Sequence, residues 1–340
     1  MAVSEPLYGK NPAELAALCA ETGLPRFAAG QLARWLYVKH IENPMLMTDI
    51  PAARRALLAE RFRQVLTPPE RVTESADGTK KYLFRTQQGA YIESAYIPDG
   101  DRATLCVSSQ AGCRMGCKFC ATGRQGLQRS LTAAEILNQI VSLPERDKLT
   151  NIVFMGMGEP LLNYDNVIQA IERITGEDSL GMSPSRLTLS TSGITEGIRR
   201  LADDGVRFNL AISLHSAINA TRDKLMPINK AYPLPELAEA IRYFVDKTGT
   251  RPTFEYLLLK GVNDSLDDAK ALAQFCRQFP VKINIIEYNE VDNAPYRHSP
   301  DANRDQFVRF LESKNIVVNV RRSKGKDIDA ACGQLANKNK

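Results

Sequence analysis

Apolar residues recur through the first sixty positions at the three- and four-residue spacing of amphipathic helices. Asn11-Pro12-Ala13-Glu14 predicts a helix start, with Asn as the cap, Pro in the first turn and Glu reaching back; Leu15, Leu18 and Cys19 then share one face. Phe27, Leu32, Trp35 and Leu36 outline a second segment, and Ala52 to Phe62 a third, with Leu57, Leu58 and Phe62 opposing an arginine-rich side. Thr67-Pro68-Pro69 ends the run, so residues 1–66 are expected to form a small helical domain.

The period then shortens to two. Lys81 to Arg85 and Ala90 to Ile97 read as strands of a hairpin across Gln87-Gln88-Gly89, and Pro98-Asp99-Gly100-Asp101 turns out of it, which makes 67–101 a short β extension. From 102 to 340 strand and helix patterns alternate. Thr104 to Ser108 precedes Ala133 to Leu143, Asn151 to Met155 precedes Tyr164 to Ile174, and Arg186 to Ser190 precedes Thr195 to Ala202. Arg207 to Leu214, Thr253 to Leu259 and Lys282 to Tyr288 are followed by Pro235 to Lys247, Leu266 to Phe279 and Asn303 to Lys314, and Ile316 to Val320 is a last β-branched run. This alternation predicts an α/β fold, a parallel sheet covered by helices and curved into a partial (β/α)6 barrel. Chemistry in such sheets gathers at the carboxyl ends of the strands, where Gly156-Met157-Gly158-Glu159-Pro160, Ser190-Thr191-Ser192-Gly193, Ser213-Leu214-His215-Ser216 and Asn289 fall.

Composition narrows the class. Hydrophobic residues at 44% and charged residues at 24% suit a soluble globular protein, and no apolar run is long enough to cross a bilayer. Met1 to Lys10 lacks a signal-peptide core, and seven cysteines suit a reducing compartment, so the cytoplasm is expected. The net charge of +5 is modest, but Arg54, Arg55, Arg61 and Arg63, then Arg321, Arg322, Lys324 and Lys326, then Lys338 and Lys340, form clusters that fit a polyanionic partner. For any single cluster a solvated helix face is the plainer reading.

The candidate chemistry lies in Cys113-Arg114-Met115-Gly116-Cys117-Lys118-Phe119-Cys120, three thiols in eight residues beside Gly112, Gly116 and Gly123. Such a loop is expected to turn its sulfurs toward one metal. Structural zinc and the common iron-sulfur clusters take four protein ligands, and no fourth Cys or His follows nearby. A cubane held by three thiolates keeps one iron open, whereas zinc needs a distant residue to complete it. The Cys-x3-Cys-x2-Cys spacing resembles the hallmark of the radical S-adenosylmethionine (SAM) superfamily, in which the open iron binds the cofactor's amino and carboxylate groups. Gly158-Glu159, just past a strand, resembles its amino-group motif, with Glu159 placed to meet an ammonium. His215 reads as a site residue because it sits at a strand end, although a histidine of this kind is more often bonded into a core.

Asp327-Ile328-Asp329-Ala330-Ala331-Cys332-Gly333-Gln334-Leu335 places a cysteine among small residues past the last strand, where exposure is expected. With Arg102 to Gln110, Met155 to Pro160, Leu189 to Gly193 and Met226-Pro227-Ile228-Asn229, it closely resembles the RlmN/Cfr family of radical SAM RNA methyltransferases over nearly the whole chain. The resemblance implies a [4Fe-4S] cluster on Cys113, Cys117 and Cys120, and SAM held by Gly158, Glu159, Ser190, Ser213, Leu214, His215 and Asn289. It implies that Cys332 takes a methyl from one SAM by displacement. A second SAM, cleaved at the cluster, then yields a radical that draws hydrogen from that methyl, and the carbon adds to an adenine ring. Cys106 matches the family's resolving thiol, which releases the product by forming a disulfide, and Glu93 its proton acceptor. The product expected is 2-methyladenosine at adenosine 2503 of 23S ribosomal RNA and at adenosine 37 of transfer RNA. Methylation at C8, the Cfr-type resistance activity, is the near alternative.

A zinc-containing, non-catalytic RNA-binding protein is the alternative of another class, and a radical SAM enzyme acting on a protein or metabolite a third. The expected partners are the two RNAs and an external electron donor such as a flavodoxin, with the chain a monomer and no membrane involved. Cys19 and Cys276 lie on helix patterns and are expected to serve packing. Two departures from the family pattern stand out, Asn289-Glu290 in place of Asn-Pro and Phe27-Ala28 in place of Phe-Arg.

Overall fold

Capping fixes where the first helix begins. Asn11 accepts from the Glu14 amide at 2.9 Å and Glu14 accepts from the Asn11 amide at 2.7 Å, so Pro12–Glu21 starts at the predicted residue. The computed structural model describes residues 6–62, 66–292 and 294–336; Arg63, Lys338 and Lys340 of the basic clusters lie outside them. Helix Pro12–Glu21 leans on the barrel helix Tyr164–Thr175, where the Gln169 amide donates to Glu14 at 3.0 Å. Leu15, Leu32 and Leu36 belong to the same apolar core as Ile136 and Ile140 of the helix Ala133–Val141.

Among the described residues, twelve strands follow in two sheets. They are β1 (Arg71–Glu74), β2 (Lys80–Arg85), β3 (Tyr91–Asp99), β4 (Arg102–Cys106), β5 (Gln110–Cys113), β6 (Gly126–Ser130), β7 (Asn151–Phe154), β8 (Leu187–Thr191), β9 (Asn209–Ser213), β10 (Thr253–Leu258), β11 (Lys282–Glu287) and β12 (Val317–Arg321). The large sheet runs β1-β2-β3-β4-β7-β8-β9-β10-β11-β12, and β5 pairs only with β6. Within the large sheet, every pairing from β4 to β12 is parallel. The order leaves β1 and β12 as edges, so the barrel is open, as the sequence predicts, with the final β-branched run as one more parallel strand.

The predicted hairpin is β2–β3, and it joins the barrel sheet through the antiparallel pair β3–β4. The turn between β1 and β2 has a further use. Asp77 accepts from the Gly325 amide at 2.9 Å and the Ser75 hydroxyl donates to Asp327 at 2.5 Å, which pins the segment after β12 against the extension.

Parallel strands buried on both faces bring polar side chains inside only where something uses them. Ser213, Glu255 and Asn284 are in register across β9, β10 and β11, and Asn319 continues the row on β12. Their neighbours Phe254, Tyr256, Ile283 and Ile285 are fully buried on the other face, under the helices.

Candidate active site

The thiol loop grows out of the β5–β6 hairpin. Gly112 lies at φ 74°, and a Cβ there would collide with the Gly126 carbonyl oxygen, so only glycine lets the two strands close. The Lys118 amide donates to the Leu225 carbonyl at 3.0 Å and the Cys120 amide to the Cys117 carbonyl at 3.2 Å. Cys113, Cys117 and Cys120 thereby border one cleft of about 1010 Å³, solvent at its mouth included.

Burial pushes the Cys113 thiol up to about 12 and raises those of Cys117 and Cys120 as well. Without a cation the three therefore keep their protons, and a bound metal would displace them. Among the described residues no three His, Cys, Asp or Glu side chains close around a point as ligands of a single ion would. Thiols that face a shared space suit a cubane, in which each sulfur takes its own iron, better than a lone zinc.

Strand ends supply the rest of the wall. Gly158, at φ 102°, passes so close to Gln110 that a Cβ would lie 2.6 Å from the Gln110 Cβ. Glu159 is buried, and its carboxylate accepts from the Leu161 amide at 3.1 Å and from the amide and hydroxyl of Ser192 at 2.7 and 2.8 Å. Burial raises its pKa and the Ser192 bonds oppose the rise. This carboxylate orders the loop after β8 while facing the thiols, and a share of its accepting capacity is already used. The Ser190 and Ser213 hydroxyls come within 3.5 Å of each other in the same cleft.

His215 combines both readings of a strand-end histidine. It is buried at φ 55°, its Nδ1 accepts from the Leu257 amide at 3.0 Å, and its ring stands edge-on to Phe119 with centroids 4.7 Å apart. It also lines the cleft. With Nδ1 accepting, the neutral ring carries its proton on Nε2. Burial, then the charge of Arg222, pull its pKa down to about 3. Leu214 and Asn289 are buried and do not line the cleft; Asn289 instead donates to the Cys332 carbonyl at 3.3 Å.

Cys332 is exposed, as its sequence setting predicts, and what it is exposed to is the cleft. It also borders a second space, of about 1760 Å³ with open solvent included, whose lining includes Cys106, Arg102, Arg321, Arg322 and Lys324. Burial, with Cys332 as the next cause, pushes the Cys106 thiol up to about 12. All seven cysteines are free thiols.

The segment carrying Cys332 is tied at several points. The Ala121 amide donates to the Gly333 carbonyl at 2.8 Å, Thr122 to the Leu335 carbonyl at 2.5 Å, and Gln334 to the Glu290 carbonyl at 3.2 Å. Gln125 donates to the Ala336 carbonyl. Glu93 joins this set and borders neither space. Its carboxylate accepts from the Ala336 amide at 2.9 Å and pairs with buried Lys81 at 3.3 Å.

Three charged residues of the site were not among those singled out in the sequence for it or for its order. Arg222 is fully buried and donates to the carbonyls of Leu214 at 3.1 Å and Ser192 at 2.7 Å and to Asn229 at 2.8 Å, so it fastens two strand-end loops together. Glu255 interrupts the apolar strand β10, and a lone charge inside a strand pattern is the signal that could have found it; Lys81 follows Lys80 at the start of β2, where a lysine reads as a solvated strand end.

The chain matches two family models, the Radical SAM superfamily over residues 107–276 and the ribosomal RNA large subunit methyltransferase N-terminal domain over residues 6–63. Probable dual-specificity RNA methyltransferases RlmN are among its relatives. That of Flavobacterium psychrophilum is 45% identical, the alignment covering 92% of each chain. That of Parabacteroides distasonis is 45% identical over 97% of this chain and 96% of its own. In three dimensions the chain is similar to a radical SAM methyltransferase from Sphaerobacter thermophilus, with a TM-score of 0.92, 41% identity, and 97% and 99% of the two chains covered.

Proposed function

Because the chain belongs to the RlmN family of radical SAM RNA methyltransferases, with a [4Fe-4S] cluster and SAM as cofactors, we propose that it methylates adenine C2 through Cys332. The substrates on this reading are adenosine 2503 of 23S ribosomal RNA and adenosine 37 of transfer RNA. The observation that carries it is the position of Cys332, on the boundary between the thiol-lined cleft and the basic chamber. A sulfur there can take a methyl from one side and present it to a base on the other.

When bound, the cluster and SAM supply a methyl group to a thiolate and a one-electron route to a carbon radical. Cys113, Cys117 and Cys120 hold the cluster, and Gly158, Glu159, Ser190, Ser213 and His215 form the wall SAM would contact, with Leu214 and Asn289 behind it. Arg102 and Arg322 border the second chamber and pair with no carboxylate among the described residues, which suits phosphates. A base stacked in RNA cannot reach the chamber floor, so the target adenine swings out of its stack. Cys106, lining the same chamber, attacks the Cys332 sulfur; the carbon–sulfur bond breaks with its electron pair passing to the carbon, which takes up a proton to become the methyl group, and the Cys106–Cys332 disulfide is left for an external donor to reduce. Glu93 accepts the ring proton once the segment ending at Ala336 lets go of it.

An external one-electron donor such as a flavodoxin and a monomeric chain complete the reading. No helix among the described residues is long and apolar enough to cross a membrane, and the cytoplasm is the compartment this substrate pair implies.

Anaerobically reconstituted protein incubated with ribosomal and transfer RNA, followed by nucleoside mass spectrometry, is expected to yield 2-methyladenosine. Cys332→Ala is expected to yield none, and Cys106→Ala to accumulate a covalent protein–RNA adduct. A product consisting of 8-methyladenosine alone would overturn the C2 assignment, and unchanged methylation by Cys332→Ala the route through that thiol.

A further inference from the structure

Glu255 is 4% exposed, yet it lines the cleft rather than the helix-covered face of the sheet. Its Oε1 accepts from the Asn284 amide at 2.8 Å, and Asn284 accepts in turn from Asn319 at 3.3 Å, so the side chain is held from behind by its own row of the sheet. Its Oε2 is buried and receives no hydrogen bond. The nearest cation, Arg321, stands 4.0 Å away, beyond hydrogen-bonding distance. A buried carboxylate oxygen without a donor is costly, and native structures keep one chiefly where a ligand completes it.

The level of the cleft narrows which donor that is. The Glu159 amide donates to Gln110 at 2.9 Å, on the strand that ends in Cys113, so the methionine end of a cluster-bound cofactor belongs beside Glu159. Glu255 borders the same cleft from the middle of β10. At its own level stand the Ser190 and Ser213 hydroxyls, with Ser213 its register partner on β9. Two residues further along β10 and β11, Leu257 and Ile286 make the next level apolar, which suits a flat base. A polar row of one carboxylate and two hydroxyls suits a vicinal diol, whose hydroxyls both donate and accept.

We infer that Glu255 receives a ribose hydroxyl of S-adenosylmethionine, making it a cofactor-binding residue additional to the strand-end set. This rests on the reading that the cleft holds that cofactor. A hydrogen bond to a charged acceptor in a buried site is worth roughly tenfold or more in affinity.

Binding without reductant separates the two. Oxygen-free, cluster-reconstituted full-length protein is titrated by equilibrium dialysis with S-adenosylmethionine, its 2′-deoxy and 3′-deoxy analogues, and the analogue lacking the adenine amine. Wild type is expected to bind at least one deoxy analogue roughly tenfold more weakly than the parent. Glu255→Gln is expected to bind the parent about tenfold more weakly and to discriminate that analogue by less than about threefold. Wild-type affinity in Glu255→Gln, or full discrimination retained by it, overturns the inference while leaving the cofactor reading intact. So does coupling of Glu255 to the adenine amine in place of a hydroxyl. The analogue series on wild type needs no variant to fold, and equal binding of both deoxy analogues overturns the inference by itself. Failure of wild type to bind S-adenosylmethionine at all overturns the cofactor reading and the inference with it.

Discussion

Arg222 holds more of the site together than any residue proposed to touch a ligand. Burial pulls its pKa down to about 10, which leaves it charged at neutral pH, and its guanidinium is spent on the backbone of the loops after β8 and β9 and on Asn229. Asn229 belongs to the Met226-Pro227-Ile228-Asn229 motif and bonds Asp223 at 2.7 Å as well, so the motif serves to seat an arginine. Arg222→Met keeps the volume and removes the donors, stranding buried carbonyls, and is expected to cost about 3–5 kcal/mol in urea unfolding. A loss under 1 kcal/mol would mean that water or neighbours replace it. His215, on the same loop, ties stability to pH. The folded protein leaves this ring neutral down to about pH 3, whereas the unfolded chain protonates it below about 6.5. The unfolded state therefore binds the extra proton between those values, so the contribution is complete above pH 6.5 and falls as the solution is acidified. From pH 7 to pH 5 the loss from this one group is about 2 kcal/mol. Asn tolerates the positive φ of this position, so His215→Asn is expected to flatten that part of the profile; an unchanged profile would assign the acid sensitivity to other groups.

Among elements, the segment from Gly325 to Ala336 decides where Cys332 stands, and the β extension decides where that segment starts. Hydrogen bonds from Thr79, Gly325 and Ser75 outweigh burial and hold the Asp77 carboxyl down at about 2, so it is ionised and accepting at any working pH. Asp77→Ala frees the Gly325 amide. Faster hydrogen exchange over residues 325–336 is expected, with slower methylation of Cys332 by intact mass and no change in iron content. Unchanged exchange would show that the ties to Ala121, Thr122 and Glu93 suffice. The barrel strands and helices were legible because period and caps carry them: the capping box at Thr132 and Glu135 opens Ala133–Val141 at the predicted residue. The β5–β6 hairpin was not legible, because its glycines and cysteines read as loop and its pairing depends on a glycine contact across the strands. Helix Asn219–Leu225 was missed for a similar reason, since its buried face is provided by Arg222 and Leu225 and not by an apolar stripe.

For the whole molecule, the sequence marked basic clusters without saying which of them faced the chemistry. The early one is partly spent at home, with Arg61 on Glu21 at 2.6 Å and Arg55 on the Met45 carbonyl at 2.8 Å. In the late one Lys326 pairs with Glu287 at 3.0 Å and Lys324 lies 3.7 Å from Asp99. Arg322 borders the chamber together with Arg102, and the sheet from β4 round to β12 brings these two distant segments to one cavity. Two guanidinium groups without a carboxylate partner among the described residues, lining a chamber that Cys106 and Cys332 also line, predict a salt dependence that can be divided between regions. Each phosphate contact contributes roughly 0.7 to the slope of log affinity against log salt for a single strand. Replacing Arg102 and Arg322 together by Ala is therefore expected to lower the slope for a hairpin RNA substrate by roughly 1.5 and to weaken binding at low salt more than at high salt. Methylation of Cys332 in the absence of RNA draws on the other cleft and serves as the control. Should the slope stay the same while Arg54→Ala and Arg55→Ala lower it, RNA is held by the helical region alone, and the chamber takes the base without gripping its phosphates.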